Sequence, residues 1–160
     1  MNIALILSGG IGGRVGGSIP KQYIKVENRP VLSYCVKQLS EHEEIDGIWI
    51  AADVLWRKEI LACLKWADRN KKFMGFSNPG KTRQLSIYYG LEDIRLFAHE
   101  GDLVLIHDGA RPLLSAKQIN DCLSAVSGHD GVIPVLPMKD TVYCSQDGIT
   151  ITSLLNRDRI

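Results

Sequence analysis

Apolar runs and helical spacings alternate along almost the whole chain, the pattern of a parallel sheet whose strands are joined by crossover helices. Ile3 to Leu7 is apolar throughout, as expected of a strand covered on both faces. Ser8 to Ser18 follows with six glycines in eleven residues and reads as a long loop. Pro30 suits the first turn of a helix, and Val31, Leu32, Cys35, Val36 and Leu39 recur at helical spacing to about Ser40. Gly47 to Asp53 is the next buried strand, and a helix from about Val54 to Asn70 turns Leu55, Ile60, Leu61 and Leu64 inward. Lys72 to Phe76 is a weaker strand, Thr82 to Phe97 a helix, and Asp102 to Asp108 the clearest strand of all. Ser115 with Gln118 has the form of a capping box, opening a helix that ends near Gly128.

Gly131 to Met138 is apolar but contains Pro134 and Pro137, so a strand that ends early or bulges is expected there. Thr141 to Ser145 and Ile149 to Leu155 flank Gln146-Asp147-Gly148, a hairpin signal that breaks the parallel alternation. The expected fold is α/β: one domain over residues 1–160, a mostly parallel sheet, and an antiparallel hairpin arm at about 139–156.

Composition narrows the function classes. With 45% hydrophobic and 23% charged residues the chain has an ordinary globular balance, and its net charge of +1 removes the bulk electrostatic argument for binding nucleic acid or a membrane surface. No run approaches the roughly 20 apolar residues of a membrane span, and the first residues lack a basic, cleavable leader, so a cytoplasmic location is expected. Cys35, Cys63, Cys122 and Cys144 form no C-x-x-C pair and read as buried, reduced thiols. His42, His99 and His129 fall at helix ends or loops and read as solvated. Trp49, Trp56 and Trp66 suit packing rather than base stacking, since no basic stripe accompanies them.

Four segments could carry chemistry. Ser8-Gly9-Gly10-Ile11-Gly12-Gly13-Arg14, continuing to Pro20-Lys21-Gln22-Tyr23, lies directly after the first buried strand. Glycines there let backbone N–H groups approach an anion closely, and Arg14 and Lys21 add positive charge where phosphates would sit. It is not a dinucleotide fingerprint, because Val15 occupies the third glycine position. Gly75-Phe76-Ser77-Asn78-Pro79-Gly80-Lys81-Thr82 satisfies the P-loop pattern in full, with Asp108 as a candidate acidic strand end, and keeps a P-loop NTPase open as a rival. His107-Asp108-Gly109-Ala110-Arg111-Pro112 ends the best strand; Asp108 could bind a divalent cation there and Arg111 an anion or hydroxyl. No second histidine stands at metal spacing, so His107 does not suggest zinc. Met138-Lys139-Asp140-Thr141 marks a further strand end.

Together these segments resemble the cytidylyltransferase family of 2-C-methyl-D-erythritol 4-phosphate and ribitol 5-phosphate cytidylyltransferases. The matching pieces are Leu7 to Arg14, Pro20 to Tyr23, Gly80 with Arg83 and Ser86, His107 to Pro112, Asp140-Thr141 and Asn156-Arg157. The resemblance implies a Rossmann-like nucleotidyltransferase that joins CTP to a polyol phosphate and releases pyrophosphate in isoprenoid precursor synthesis, with ribitol 5-phosphate as the alternative acceptor. It implies that Ser8, Gly9, Gly10, Gly12 and Gly13, with catalytic Arg14 and Lys21, wrap the triphosphate, and that Gly80, Arg83 and Ser86 face the nucleoside. Asp108 would hold Mg2+ and touch the acceptor, and Arg111 and Thr141 would bind the polyol phosphate. Arg157 would reach the other subunit's site from the arm of a homodimer. The family pattern continues beyond Asn156-Arg157 into a Gln-Thr-Pro-Gln stretch and further sheet and helix, so its late part is expected to be absent from these 160 residues. A nucleotide-binding module without catalysis is the remaining alternative.

Overall fold

The first strand, β1 (Asn2–Leu7), is the centre of the fold in a computed structural model that describes residues 1–10 and 19–159. Its Ile3, Ala4, Leu5 and Ile6 are fully buried, as the unbroken apolar run predicts. After a 3-10 turn at Lys21–Tyr23, β2 (Lys25–Val26) and β3 (Arg29–Pro30) form a small antiparallel pair. Helix α1 (Val31–Glu41) follows, with Pro30 as its cap rather than within its first turn. Then come β4 (Gly47–Ala51), α2 (Val54–Ala67), β5 (Phe73–Ser77), α3 (Arg83–Arg95) and β6 (Leu103–Asp108). The four long strands pair in parallel in the order β5-β4-β1-β6.

The order in which strands are added reverses next to β1: successive strands step one way to β4 and β5, then the chain returns to the other side for β6. That is a topological switch point, the place where open α/β sheets gather ligands at the carboxyl ends of their strands. Register makes the edge common to all four strands, since Leu7 pairs with Ala51 and with Asp108, and Ala51 with Ser77.

By its internal contacts the chain divides into Met1–Asn120 and Asp121–Ile160. The boundary falls inside α4 (Ala116–Ala125), whose start carries the expected capping box: Gln118 N–H donates to Ser115 Oγ at 3.2 Å and Ser115 N–H to Gln118 Oε1 at 3.0 Å. In the second unit β7 (Tyr143–Cys144) and β8 (Ser153–Leu154) form the antiparallel hairpin, Tyr143 opposite Leu154. Its strands are shorter than predicted because Asp147 organises the connecting loop, accepting from the Ser145 hydroxyl and from the N–H groups of Ile149 and Thr150. A second 3-10 turn, Arg157–Arg159, follows.

Several expectations need correction. Gly131 to Met138 forms no strand: Pro134 and Pro137 lack the N–H a ladder requires, and no described residue pairs with the segment. Helix α2 ends at Ala67, and its Leu55 (85% exposed) and Leu61 (48%) face outward while Ile60 and Leu64 carry the packing. Strand β6 begins at Leu103 and is half-buried, and among the described residues it has a neighbouring strand on one side only. Only Cys35 of the four reduced thiols is fully buried. His42 is buried too, with Nδ1 accepting from Glu44 N–H.

Candidate functional site at the strand carboxyl ends

Each strand end contributes chemistry because each stops at the same edge. Leu7 leads into Ser8-Gly9-Gly10, and Asp108 opens the turn to Arg111. Gly9 is pressed against Pro79 of the β5–α3 loop so closely that an added Cβ would lie 2.1 Å from the Pro79 Cβ. The turn after β1 and the loop after β5 are therefore in van der Waals contact, and glycine at position 9 is a steric requirement. Gly12, Gly13 and Arg14 lie outside the described residues.

Ser8 is buried and its groups are spent on structure. Its N–H donates to Ala51 O at 2.8 Å and its hydroxyl to Tyr23 Oη at 2.8 Å. Its carbonyl accepts from the Tyr23 hydroxyl and from Gln22 Nε2, each at 2.9 Å, and Gln22 Nε2 also donates to Gly10 O at 2.7 Å. Tyr23 in turn stacks on Trp56 of α2, ring centroids 4.3 Å apart. Burial pushes the Tyr23 phenol up to about 12, so it stays neutral and keeps the proton it donates. Lys21, between Pro20 and this buried pair, is exposed and makes no ion pair with a described residue.

On the other side of the switch point, Asp108 is held by two guanidinium groups. Arg83 Nε donates to Oδ1 at 3.1 Å and Arg111 Nε to Oδ2 at 3.0 Å. Burial pushes the Asp108 carboxyl up, but the hydrogen bond and charge of Arg83 and then those of Arg111 more than offset it, and the group lies below its usual range. Gly109 N–H donates to Leu7 O at 2.9 Å, tying this turn to the end of β1. His107 completes it: Nε2 lies 3.0 Å from Arg111 O, and because a carbonyl can only accept, Nε2 carries the proton. Burial lowers the His107 pKa, which favours the neutral imidazole.

Gly80 and Ser86 meet at the start of α3. The Ser86 hydroxyl accepts from Gly80 N–H at 3.0 Å and lies 3.0 Å from Thr82 O, while Thr82 caps the helix by accepting from Leu85 N–H at 3.1 Å. Ser86 is buried, so its hydroxyl shapes the Gly80 turn. The P-loop reading fails here on geometry. Gly75 lies within β5, where an added Cβ would meet the Trp49 ring at 2.6 Å, and α3 begins only at Arg83. The segment is thus strand followed by a short turn and not a loop of eight residues wrapped around phosphate.

In the second unit Thr141 and Arg157 line one open cavity of about 430 Å3, together with Leu154, Leu155, Asn156 and Asp158. Arg157 donates to Lys139 O at 3.1 Å, fixing its side chain across the base of the hairpin.

The expected site residues thus separate into two roles. Arg83, Asp108 and Arg111 form one charged cluster and Lys21 stands exposed beside the anchored turn, while Ser8 and Ser86 are buried supports. Gln22, Tyr23, Pro79 and His107 were not assigned roles by sequence reasoning; the first two stand in the Pro-Lys-Gln-Tyr motif, which was the available signal.

Comparison with known proteins agrees with this architecture. A family model described as IspD: 2-C-methyl-D-erythritol 4-phosphate cytidylyltransferase matches residues 2–160. A curated 2-C-methyl-D-erythritol 4-phosphate cytidylyltransferase of Syntrophotalea carbinolica is 37% identical over 149 residues, covering 91% of this chain and 61% of that protein. A ribitol-5-phosphate cytidylyltransferase of Vibrio parahaemolyticus is 36% identical over 143 residues, covering 88% and 59%. The crystal structure of 4-diphosphocytidyl-2C-methyl-D-erythritol synthase from Anaerococcus prevotii superposes with a TM-score of 0.80 at 26% identity, covering 99% of this chain and 65% of that one. The chain spans about three fifths of the length of the curated relatives it matches.

Proposed function

Because the chain belongs to the 2-C-methyl-D-erythritol 4-phosphate cytidylyltransferase family, we propose that it binds CTP at the switch point and transfers CMP to a polyol phosphate, with 2-C-methyl-D-erythritol 4-phosphate as first acceptor. One observation carries the reading: the register of Leu7 with Asp108 ends the glycine turn and the Arg83–Asp108–Arg111 cluster at one edge, on adjacent strands.

In the reaction an oxygen of the acceptor phosphate attacks the α-phosphorus of CTP, and the bond from that phosphorus to the oxygen bridging to the β-phosphorus breaks. Pyrophosphate leaves with the bridging electrons. Two anions must meet, so the protein's part is fixed positive charge that remains in place while negative charge moves to the leaving group. Lys21 and Arg14 provide it on the triphosphate side. At an effective dielectric of about 20, a unit-charge pair about 4 Å apart is worth roughly 4 kcal/mol, so two side chains are enough to change the rate by orders of magnitude. Arg111 binds the acceptor phosphate, Arg83 with the Gly80 turn faces the nucleoside, and Arg157 serves the acceptor site of a second copy in a homodimer.

The family implies Mg2+, and the donor set fits a cation carried by the nucleotide. Among the described residues no group of three metal-ligating side chains exists, whereas Mg2+ on a nucleotide takes one or two carboxylates beside phosphates and water. Asp108 would hold it by releasing one guanidinium. Mg2+ would supply charge neutralisation across the phosphates.

Calorimetric titration of the chain with CTP and Mg2+, paired with a pyrophosphate-release assay, tests the proposal. Saturable binding with release on adding 2-C-methyl-D-erythritol 4-phosphate supports it; absence of CTP binding overturns it. The similarity to a ribitol-5-phosphate cytidylyltransferase favours a second reading, for which release with ribitol 5-phosphate alone would decide. Binding without release for either acceptor identifies a nucleotide-binding module.

A further inference from the structure

The buried amide of Gln22 forms a fork whose two tines end on the carbonyls of Ser8 and Gly10, at 2.9 and 2.7 Å. Tyr23 adds a second donor to the Ser8 carbonyl, braced by its stack on Trp56. We propose that Gln22 is the positioning residue of the glycine turn: by holding these carbonyls toward the core it aims the Gly9 N–H outward at an anion and seats Lys21 beside it.

The direction follows from the planar trans peptide. The Ser8 carbonyl and the Gly9 N–H belong to one amide plane and point opposite ways, so a carbonyl drawn inward by Gln22 and Tyr23 turns that N–H outward. No described residue accepts a hydrogen bond from the Gly9 or Gly10 N–H, whereas Ser8 N–H is already used by Ala51 O. A glycine turn without such a hold would sample many orientations, since glycine restricts its own backbone least. The hold also accounts for Lys21. Gln22 and Tyr23 are buried in one 3-10 turn while Lys21 at its start is exposed, so anchoring the pair fixes the ammonium's point of attachment next to the turn. A glutamine is suited to this because its NH2 offers two donors from one atom.

The inference rests on reading the turn as a phosphate cradle, and the experiment separates the two. Gln22→Met keeps the length and loses both donors. Amide hydrogen exchange at Gly9 and Gly10, thermal unfolding, and calorimetric titration with CTP plus Mg2+ and with 2-C-methyl-D-erythritol 4-phosphate are compared with the unaltered chain. Expected are faster exchange at the two glycines, CTP affinity weaker by roughly tenfold or more, the counterpart of about 1.4 kcal/mol, and unchanged acceptor affinity. Unchanged CTP affinity and exchange overturn the proposal, as does an equal loss of affinity for both ligands. If Gln22→Met does not fold, Tyr23→Phe removes the second donor to the Ser8 carbonyl, together with the acceptor of the Ser8 hydroxyl, and wild-type exchange and CTP affinity in that variant overturn it. If the unaltered chain binds no CTP, the functional reading fails, while the exchange contrast still decides whether Gln22 holds the turn.

Discussion

Lys21 and Lys81 make the sharpest contrast between single residues. Both are exposed lysines, Lys21 at the start of a 3-10 turn and Lys81 in the loop after β5. Lys21 follows the anchored glycine turn, whereas Lys81 stands just before the Thr82 cap of α3. Lys21→Ala should lower turnover by roughly a hundredfold to a thousandfold, as when one preorganised transition-state donor is removed, and Lys81→Ala by much less, in a pyrophosphate-release assay. Asp108 gives a pH signature. Its folded pKa lies below the ordinary 3.8, so the stability it contributes is complete above that value and is lost as pH falls through the lowered one. Asp108→Asn should therefore melt below the unaltered chain near neutrality, and the difference should close under about pH 4 in a series of thermal scans.

At the scale of elements, α3 depends on what it packs against. Gly90 faces the fully buried Leu5 of β1, and an added Cβ would lie 2.6 and 2.7 Å from the two Leu5 methyl carbons. Overpacking there costs about 1–3 kcal/mol, and the better helix propensity of alanine returns up to about 1, so Gly90→Ala should lower the urea midpoint by the equivalent of about 1 kcal/mol. The apolar periodicity of α3 could not have revealed this, because Tyr88, Tyr89 and Leu91 are exposed while Ser86 and Gly90 are buried. Helix α1 was legible for the opposite reason: Leu32, Cys35, Val36 and Leu39 hold to one stripe and all four are buried. The strand expected from Gly131 to Met138 was read from apolarity alone, and apolarity cannot supply the hydrogen-bonding neighbour that defines a strand.

For the whole molecule, the division of the chain separates two kinds of contact. Lys21, Arg83, Asp108 and Arg111 belong to Met1–Asn120, and Thr141 and Arg157 to Asp121–Ile160. Arg157→Ala should raise the KM for the acceptor phosphate by about tenfold or more while leaving CTP affinity unchanged, which steady-state kinetics and calorimetry can check together. By itself the sequence determined the alternation of buried strands and helices, the hairpin, and the order of the motifs, because burial on both faces and the turn residues between elements leave local, periodic marks. Only the tertiary structure decided which strand lies beside which. The reversal that sets β6 next to β1, the register of Leu7 with Asp108, and the hold of Gln22 on Ser8 and Gly10 join residues 12 to 101 positions apart. Such pairings arise from hydrogen bonds and shape between segments whose spacing leaves no periodic mark along the chain.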